Sequence, residues 1–351
     1  MTGTSPITTI LLTAMRHATI LFLGHFNIIE QRRRENFDVL VDNRDIMGDK
    51  KKNVKGTMNL TTTPSYIHIL TCPICSTHFT QIGNTLKCEK AHTFDIAKEG
   101  YVNLLTKKLP DSMGDTKEML IARRAFLEYG HYQPLASAIN TLVYDYLKDE
   151  SDTDGGLPTL NILDAGCGEG YYLGQLQHAL GERLPDVQCE CIGLDIAKEA
   201  MRMAAKRYKG LHFVVANLKE RLVIANDALH VLLNIFAPRN VEEFARVLMP
   251  GGIALVVIPA PQHLQQLREK LDLLSIEEHK QEHVIEQFAP HFTYIGATNF
   301  HETIHLSNQE IIQAVMMTPN YWHMSDKVKG VMTEMNEIET EIAFTCLMFR
   351  K

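Results

Sequence analysis

Ile162-Leu163-Asp164-Ala165-Gly166-Cys167-Gly168-Glu169-Gly170 is the stretch that decides the fold. An apolar run ends in a carboxylate, three alternating glycines follow, and Tyr171–Leu180 then takes up helical spacing. Glycine lets the backbone turn sharply and lets a ligand come close to it. A strand, a glycine turn and a helix in that order open a nucleotide-binding βαβ unit.

Outward from that unit, the pattern repeats. Apolar runs at Leu160–Leu163, Cys189–Leu194, His212–Val215, Ala228–Phe236 and Ile253–Ile258 read as buried strands. Helical segments such as Lys198–Tyr208 and Val241–Leu248 lie between several of them. Such alternation implies a parallel sheet with helices on both faces. Further helices are expected near Gln262–Leu274 and Lys280–Phe288, and two closing strands at Thr293–Phe300 and Glu341–Phe349. Upstream, Thr116–Glu128 and Pro134–Lys148 carry helical spacing, the latter through Leu135, Ile139, Leu142, Val143, Tyr146 and Leu147. Lys107 to Asp115 is polar, contains proline and glycine, and reads as a loop or hinge; Asp152 to Gly156 reads as a loop.

The glycine loop alone does not name its ligand, since dinucleotide enzymes share the pattern. Asp164 precedes the first glycine by two positions, and acidic Glu169 sits where a pyrophosphate would be repelled. A ligand without phosphates fits better, and S-adenosylmethionine offers an ammonium that a nearby carboxylate favours. Asp195 ends the second strand, where a carboxylate accepts ribose hydroxyls. It is equally placed to cap the helix near Lys198. Asn217 ends the third strand, as an adenine reader or as a turn residue.

Cys72-x2-Cys75 followed by Cys88 and His92 has the spacing of two knuckles that meet around one tetrahedral zinc. Gly83-Asn84, between Phe79 and Leu86, predicts a hairpin joining them. His68 and His78 are nearby alternatives, but neither forms a knuckle with Cys88. Four protein ligands would close the site, making it structural.

Composition bounds the rest. The 351 residues are 45% hydrophobic and carry a formal net charge of -7, so attraction to nucleic acid would have to come from local patches. Seven cysteines, an odd and sparse set, argue for a reduced compartment, and cytoplasmic location is expected. Ile7–Ile29 is interrupted by Arg16, His17 and His25, and makes a poor membrane span or signal peptide. Residues 1–63 hold Arg32-Arg33-Arg34 and Lys50-Lys51-Lys52 without a periodic apolar face. They read as a basic tail, as sequence upstream of a true start at Met58, or as a basic arm on RNA phosphates. The expected organisation is an unstructured or spurious 1–63, a zinc module over 64–106, a linker with helices over 107–157, and an S-adenosylmethionine-binding α/β domain over 158–351.

Together these motifs resemble the RlmA family of guanine-N1 methyltransferases acting on large-subunit ribosomal RNA. The resemblance runs from about Leu70 to the C-terminus. It is carried by Cys72–Cys75, by His92-x-Phe94-Asp95-x-Ala97-Lys98-Glu99-Gly100-Tyr101-Val102-Asn103-Leu104-Leu105, and by Ala122-Arg123-Arg124-Ala125-Phe126-Leu127. Gly130-His131-Tyr132-Gln133-Pro134-Leu135 and Asp164 to Tyr172 complete it. It implies an α/β fold, a Rossmann-like class I methyltransferase sheet preceded by a small zinc-binding module. It implies zinc on Cys72, Cys75, Cys88 and His92, and S-adenosylmethionine contacts from Tyr132, Gly168-Glu169-Gly170, Asp195 and His263, with Asp164, Gly166 and Asn217 beside them. Read without the family, His263 would be a solvent-facing helix-start residue. Asn234, Phe236, Ala237 and Pro238 would line the place of the target base, in an RNA hairpin, and a homodimer is implied. No general base is assigned. Lys87, Lys90, Lys98, Lys107, Lys108, Arg123 and Arg124 are candidates for an RNA face, though Arg123-Arg124 in a helix are equally placed as structural partners for carboxylates. The rival readings are a small-molecule methyltransferase with an accessory zinc module and a non-catalytic RNA-binding protein.

Overall fold

A computed structural model of the chain describes residues 65–351, apart from 109, 111–112 and 152–158. The readings of 1–63 as a tail, of a Met58 start, and of 152–156 as a loop lie outside the described residues.

Three short strands, β1 (Phe79–Ile82), β2 (Thr85–Cys88) and β3 (Thr93–Asp95), form an antiparallel sheet of their own. Ile82 pairs with Thr85, so the hairpin turns at Gly83-Asn84 as the sequence predicts. Gly83 takes φ 61°, in the left-handed region glycine adopts without strain.

The remaining strands are β4 (Tyr101–Asn103), β5 (Thr159–Ala165), β6 (Gln188–Asp195), β7 (His212–Val215), β8 (Leu229–Ile235), β9 (Leu248–Pro259), β10 (Thr293–Ser307) and β11 (Glu337–Arg350). They make an eight-stranded sheet in the order β10-β11-β9-β8-β5-β6-β7-β4. β4 to β9 run parallel, while β11 is antiparallel to β9 and β10 to β11. β5 lies between β6 and β8, so the strand order reverses there, and the carboxyl ends of β5 and β8 bound a crevice.

The helices are α1 (Lys117–Glu128), α2 (Gln133–Ser151), α3 (Tyr171–Arg183), α4 (Lys198–Arg207), α5 (Val241–Val247), α6 (Gln265–Leu271), α7 (Lys280–Phe288), α8 (Asn308–Met316) and α9 (Asp326–Glu334). Strand alternation divides the core between them. Ile162, Val231 and Leu233 join Leu135 of α2, Leu173 of α3 and Met201 of α4 on one side. Leu163, Leu232 and Val256 join Phe244 of α5 and Phe288 of α7 on the other. All of these are fully buried, and each such side chain contributes roughly 1.5–3 kcal/mol. Helices therefore cover both faces, as expected.

The structure departs from the sequence reading in three places. β4, read only as the end of the zinc module, pairs with β7 through Tyr101–Phe213, Val102–Val214 and Asn103–Val215, and forms one edge of the large sheet. α6 is shorter than the expected Gln262–Leu274, because Leu264 and Asp272 both take φ 51° and stop it at either end. β10 and β11 are long, pairing from Thr293–Arg350 to Ser307–Glu337, well past the predicted ends.

Phe79 and Leu86 of the small sheet, with Ile67 and Leu70, share a core with Val214 and Leu222. Thr71 N–H donates to the Val223 carbonyl at 2.9 Å, and Ala225 N–H to that of Ile69 at 2.8 Å. A module with so few buried side chains needs this support or a metal to hold its shape.

Candidate active site and zinc centre

At the crevice lies a cavity of about 790 Å³. Of the residues expected to bind cofactor, Tyr132, Asp164, Gly166, Gly168, Glu169, Asp195, Asn217 and His263 line it. Gly170 does not: it is the N-cap of α3, with φ 86°, and the place of its missing Cβ lies 3.2 Å from the Phe213 ring. Its glycine character serves packing.

The glycine loop is pinned to the end of β6. Gly166 and Cys167 N–H groups donate to the Leu194 carbonyl at 2.8 and 3.0 Å. Gly168 N–H donates to Asp195 Oδ2 at 3.0 Å, and Ala197 N–H donates to Asp195 Oδ1 at 2.8 Å. Asp195 thus fixes the loop and the approach to α4, and its carboxylate still lines the cavity. A Cβ on Gly166, at φ 90°, would sit 2.4 Å from Ala237 Cβ, so only glycine fits.

Carboxylates crowd this end of the cavity. Asp164 is 1% exposed, and its Oδ1 has no hydrogen-bond partner. Burial, then the charges of Asp195 and Glu169, push its pKa up to about 8. Burial raises Asp195 and Glu169 as well; Arg123, Arg124 and Arg207 offset part of the effect at Glu169. A cationic ligand would relieve this crowding, so the site fits the ammonium-bearing, phosphate-free S-adenosylmethionine.

Arg123 faces inward. It pairs with Asp115 at 2.6 Å, donates to the Met317 carbonyl at 3.1 Å and lines the cavity. Nε and Nη2 of Arg124 are buried, and its charge acts on Glu169. Both arginines thus act as partners of carboxylates, Arg123 of Asp115 and, through its charge, Arg124 of Glu169. Spacing alone could not reveal their inward turn, although the segment that carries them was a prominent motif.

Tyr132 and His263 meet across the cavity wall, with Tyr132 Oη 3.2 Å from His263 Nε2. The Ala343 N–H donates to His263 Nδ1 at 3.3 Å, so Nε2 carries the proton of a neutral ring and donates to Tyr132. Burial, with Arg268 adding to it, lowers the His263 pKa to about 3. His263 is thus a fixed part of the wall and not a solvent-facing helix start. Asn217 lines the cavity, and its Oδ1 accepts from the Lys219 N–H at 3.0 Å, a turn contact.

Three of the four residues expected on the base side reach the cavity. Phe236, Ala237 and Pro238 line the cavity, whereas Asn234 does not. Asn234 is fully buried and donates from Nδ2 to the carbonyls of Ala165 and Pro238, both at 3.0 Å. It staples the end of β5 to the loop after β8. Phe236 takes φ 55° and stays 44% exposed, with its ring centroid 5.3 Å from Phe344 and 6.3 Å from Tyr172. Tyr172, Phe344 and the Met317–Asn320 wall were absent from the sequence-derived site. Tyr172 sat inside a recognised motif; the others carry no motif.

In the small module, Cys72, Cys75, Cys88 and His92 bring one ligand atom each within 4.8 Å of one another. Cys75 and Cys88 sulfurs lie 3.6 Å apart, and His92 Nδ1 lies 3.6 Å from Cys72 Sγ and 3.4 Å from Cys88 Sγ. Tetrahedral zinc, with bonds of ~2.3 Å to sulfur and ~2.0 Å to nitrogen, sets such edges at about 3.8 and 3.5 Å. The donor set and spacing fit zinc. Thr77 Oγ1 lies 3.2 Å from Cys75 Sγ, and the His92 N–H donates to Cys88 Sγ at 3.2 Å. Both contacts favour thiolates. His78 is turned away, its Nδ1 3.0 Å from the His68 carbonyl.

This sheet, with its glycine loop over a carboxylate-lined cavity, defines a class I S-adenosylmethionine-dependent methyltransferase carrying a zinc ribbon. The family model described as "RlmA, N-terminal", a zinc ribbon, matches residues 70–108, and a methyltransferase domain model matches 162–252. A 23S rRNA (guanine(748)-N(1))-methyltransferase of Streptomyces fradiae is 34% identical over 284 residues, 80% of this chain and 96% of that protein. A Micromonospora griseorubida protein described as a putative 23S rRNA (guanine-N(1)-)-methyltransferase is 35% identical, over 74% of this chain and 89% of that one. A Bacillus subtilis protein of the same description is 30% identical, over 80% and 96%. The chain belongs to the RlmA family of 23S rRNA guanine-N1 methyltransferases.

Proposed function

We propose that this chain transfers the methyl group of S-adenosylmethionine to N1 of a specific guanine in a large-subunit ribosomal RNA hairpin. The observation that carries the reading is one cavity with two unlike ends: crowded carboxylates at the glycine loop, and the exposed Phe236 ring beyond β8. Asp164 would receive the cofactor's ammonium, Asp195 its ribose hydroxyls and Asn217 its adenine edge, while Tyr132 fills the wall between. When bound, S-adenosylmethionine supplies an electrophilic methyl group on a positive sulfur, whose charge also favours a guanine anion nearby.

The chain's own residues supply position. A base flipped out of its stack would lie against Phe236, backed by Phe344 and Tyr172. Asn234 holds the loop under that base, and in-line placement of the reacting groups carries most of the acceleration. Zinc on Cys72, Cys75, Cys88 and His92 shapes the ribbon that meets RNA. No helix among the described residues is long and apolar enough to cross a membrane. The protein acts in the cytoplasm, as a homodimer.

Transfer from labelled S-adenosylmethionine to unmodified 23S RNA, with mapping of the modified base, tests this directly. Label at guanine N1 is expected. Label confined to a small molecule, to another base position, or absent altogether would overturn the reading.

A further inference from the structure

Two cations stand on the cavity wall beside the loop that bears Phe236. Arg239 follows Pro238 directly, and Lys280 is the first residue of α7. Both are half-buried. Burial lowers the pKa of each, and the charge of Arg239 lowers Lys280 further, so the two groups feel one another. Like charges gathered in a partly dry wall are unfavourable until an anion joins them. The acid in their field is Glu277, which is exposed and lies 3.5 Å from His283.

The other arginines of the wall are committed. Arg123 holds Asp115 and the Met317 carbonyl. Arg268 donates to the carbonyls of His263 and Pro261. Arg239 instead donates from Nε to the Gln287 amide oxygen at 3.0 Å, which orients the guanidinium and leaves its two terminal nitrogens. Neither Arg239 nor Lys280 forms an ion pair among the described residues.

We propose that Arg239 and Lys280 clamp the phosphate of the nucleotide whose base enters the cavity beside Phe236. The proposal rests on the RNA-methyltransferase reading above. A guanidinium suits phosphate through paired N–H donors, and an ammonium adds a point charge. Such contacts hold a nucleotide in place without reading its sequence. The clamp would therefore fix the sugar-phosphate while the aromatic ring holds the base.

Two measurements test it. First, guanosine and guanosine 5′- and 3′-monophosphate are titrated into the protein saturated with S-adenosylhomocysteine, followed by NMR. At least one monophosphate should bind roughly tenfold more tightly than guanosine. That preference should vanish in the Arg239→Gln/Lys280→Met variant, with guanosine affinity unchanged. Second, methyl transfer to unmodified 23S RNA should show KM raised at least about tenfold, kcat changed less, and the salt slope reduced by about one to two. Exposed Lys327, away from the cavity wall, serves as control through Lys327→Gln. Lys280→Met alone carries the test if the double variant melts early. No monophosphate preference, or a preference that survives the substitutions, overturns the clamp. Wild-type guanine methylation with KM and salt slope unmoved in the variant also overturns it, and leaves the enzymatic reading intact. A preference that depends on both cations in a protein that methylates no RNA would keep the phosphate site and sink the RNA reading.

Discussion

Gly168 and Asp195 belong to successive βα units and are joined by one bond, the Gly168 N–H donating to Asp195 Oδ2 at 3.0 Å. The other carboxylate oxygen accepts from the Ala197 N–H at 2.8 Å. Asp195 therefore shapes the cofactor loop as well as facing the ribose position. Asp195→Asn keeps one acceptor and should lower cofactor affinity roughly tenfold. Asp195→Ala loses both and should lower it roughly a hundredfold, since charge-assisted bonds contribute about 1.5–3 kcal/mol each. RNA affinity should barely change. Calorimetry measures the first and filter binding the second; normal cofactor binding by the alanine variant would refute the assignment.

Asp164 ties stability to pH. Its pKa rises from 3.8 to about 8 on folding, by burial first and then by Asp195 and Glu169. The folded state thus holds a proton that the unfolded chain releases. That contribution is complete below pH 3.8 and is lost as pH rises through 8. His263 acts in the opposite sense. Its pKa falls from 6.5 to about 3, so its contribution is present above pH 6.5 and is lost as pH drops toward 3. Between pH 6.5 and 8, Asp164 alone of the two titrates. The free protein should lose roughly 1–2 kcal/mol across that window. Melting curves should show this fall in the wild type and a flatter profile in Asp164→Asn; matching profiles would contradict it.

The same carboxyl predicts proton release on cofactor binding. At pH 7 a group at about 8 is mostly protonated. An ammonium placed beside it stabilises the charged form, so binding should expel up to roughly 0.9 of a proton. Calorimetry in two buffers of different ionisation enthalpy reads this number. Asp164→Asn should reduce it to nearly nothing, and an unchanged value there would place the proton elsewhere.

What the sequence made legible follows physical rules. β5, its glycine loop and α3 were plain because an apolar run, left-handed glycines and helical spacing coincide there. The zinc ligands were plain because a tetrahedral ion dictates their spacing. β4 was hidden, since Tyr101-Val102-Asn103 is too short to show a period and gains its strand character only by pairing with β7. Asn234 looked like a pocket residue because it ends a strand at the crevice, but burial turned its amide onto two carbonyls. The inward turn of Arg123 depends on Asp115 and on Met317, far away in sequence, which no local pattern encodes. The length of β10 was missed because its strand is mostly exposed as far as Thr303; only Ile304 and Leu306 alternate into the core near its end, too short a run to show a period.

Phe236 separates stability from activity. Its φ of 55° is strained for an aromatic residue, and its ring is 44% exposed. Phe236→Gly relieves about 1 kcal/mol of backbone strain, which offsets part of what is lost with the buried half of the ring. The melting temperature should therefore change little, and cofactor affinity should stay within about threefold. Methyl transfer to RNA should fall at least roughly tenfold, because base–aromatic stacking contributes about 1–3 kcal/mol. Full activity in this variant would remove Phe236 from the base site.

Zinc removal should act beyond the ribbon. The chain passes from His92, through the bridge Ile96–Val102, into β4, which caps the β7 edge of the large sheet. The ribbon's Phe79 and Leu86 share a core with Val214 of β7. Ribbons of this size rarely keep their shape once the metal leaves, because binding energy and folding energy are the same quantity there. Cys88→Ser, or chelation, should thus release β1–β4 together and uncover the edge amides of β7. β5 and β8 lie inside the sheet and should stay protected. Hydrogen exchange followed by mass spectrometry distinguishes the cases: faster exchange over 79–103 and 212–215 is expected, with 159–165 and 229–235 unchanged. Exchange that quickens only over 72–95 would show that β4 holds without the metal. Exchange that quickens throughout the sheet would show that ribbon and catalytic core unfold as one unit.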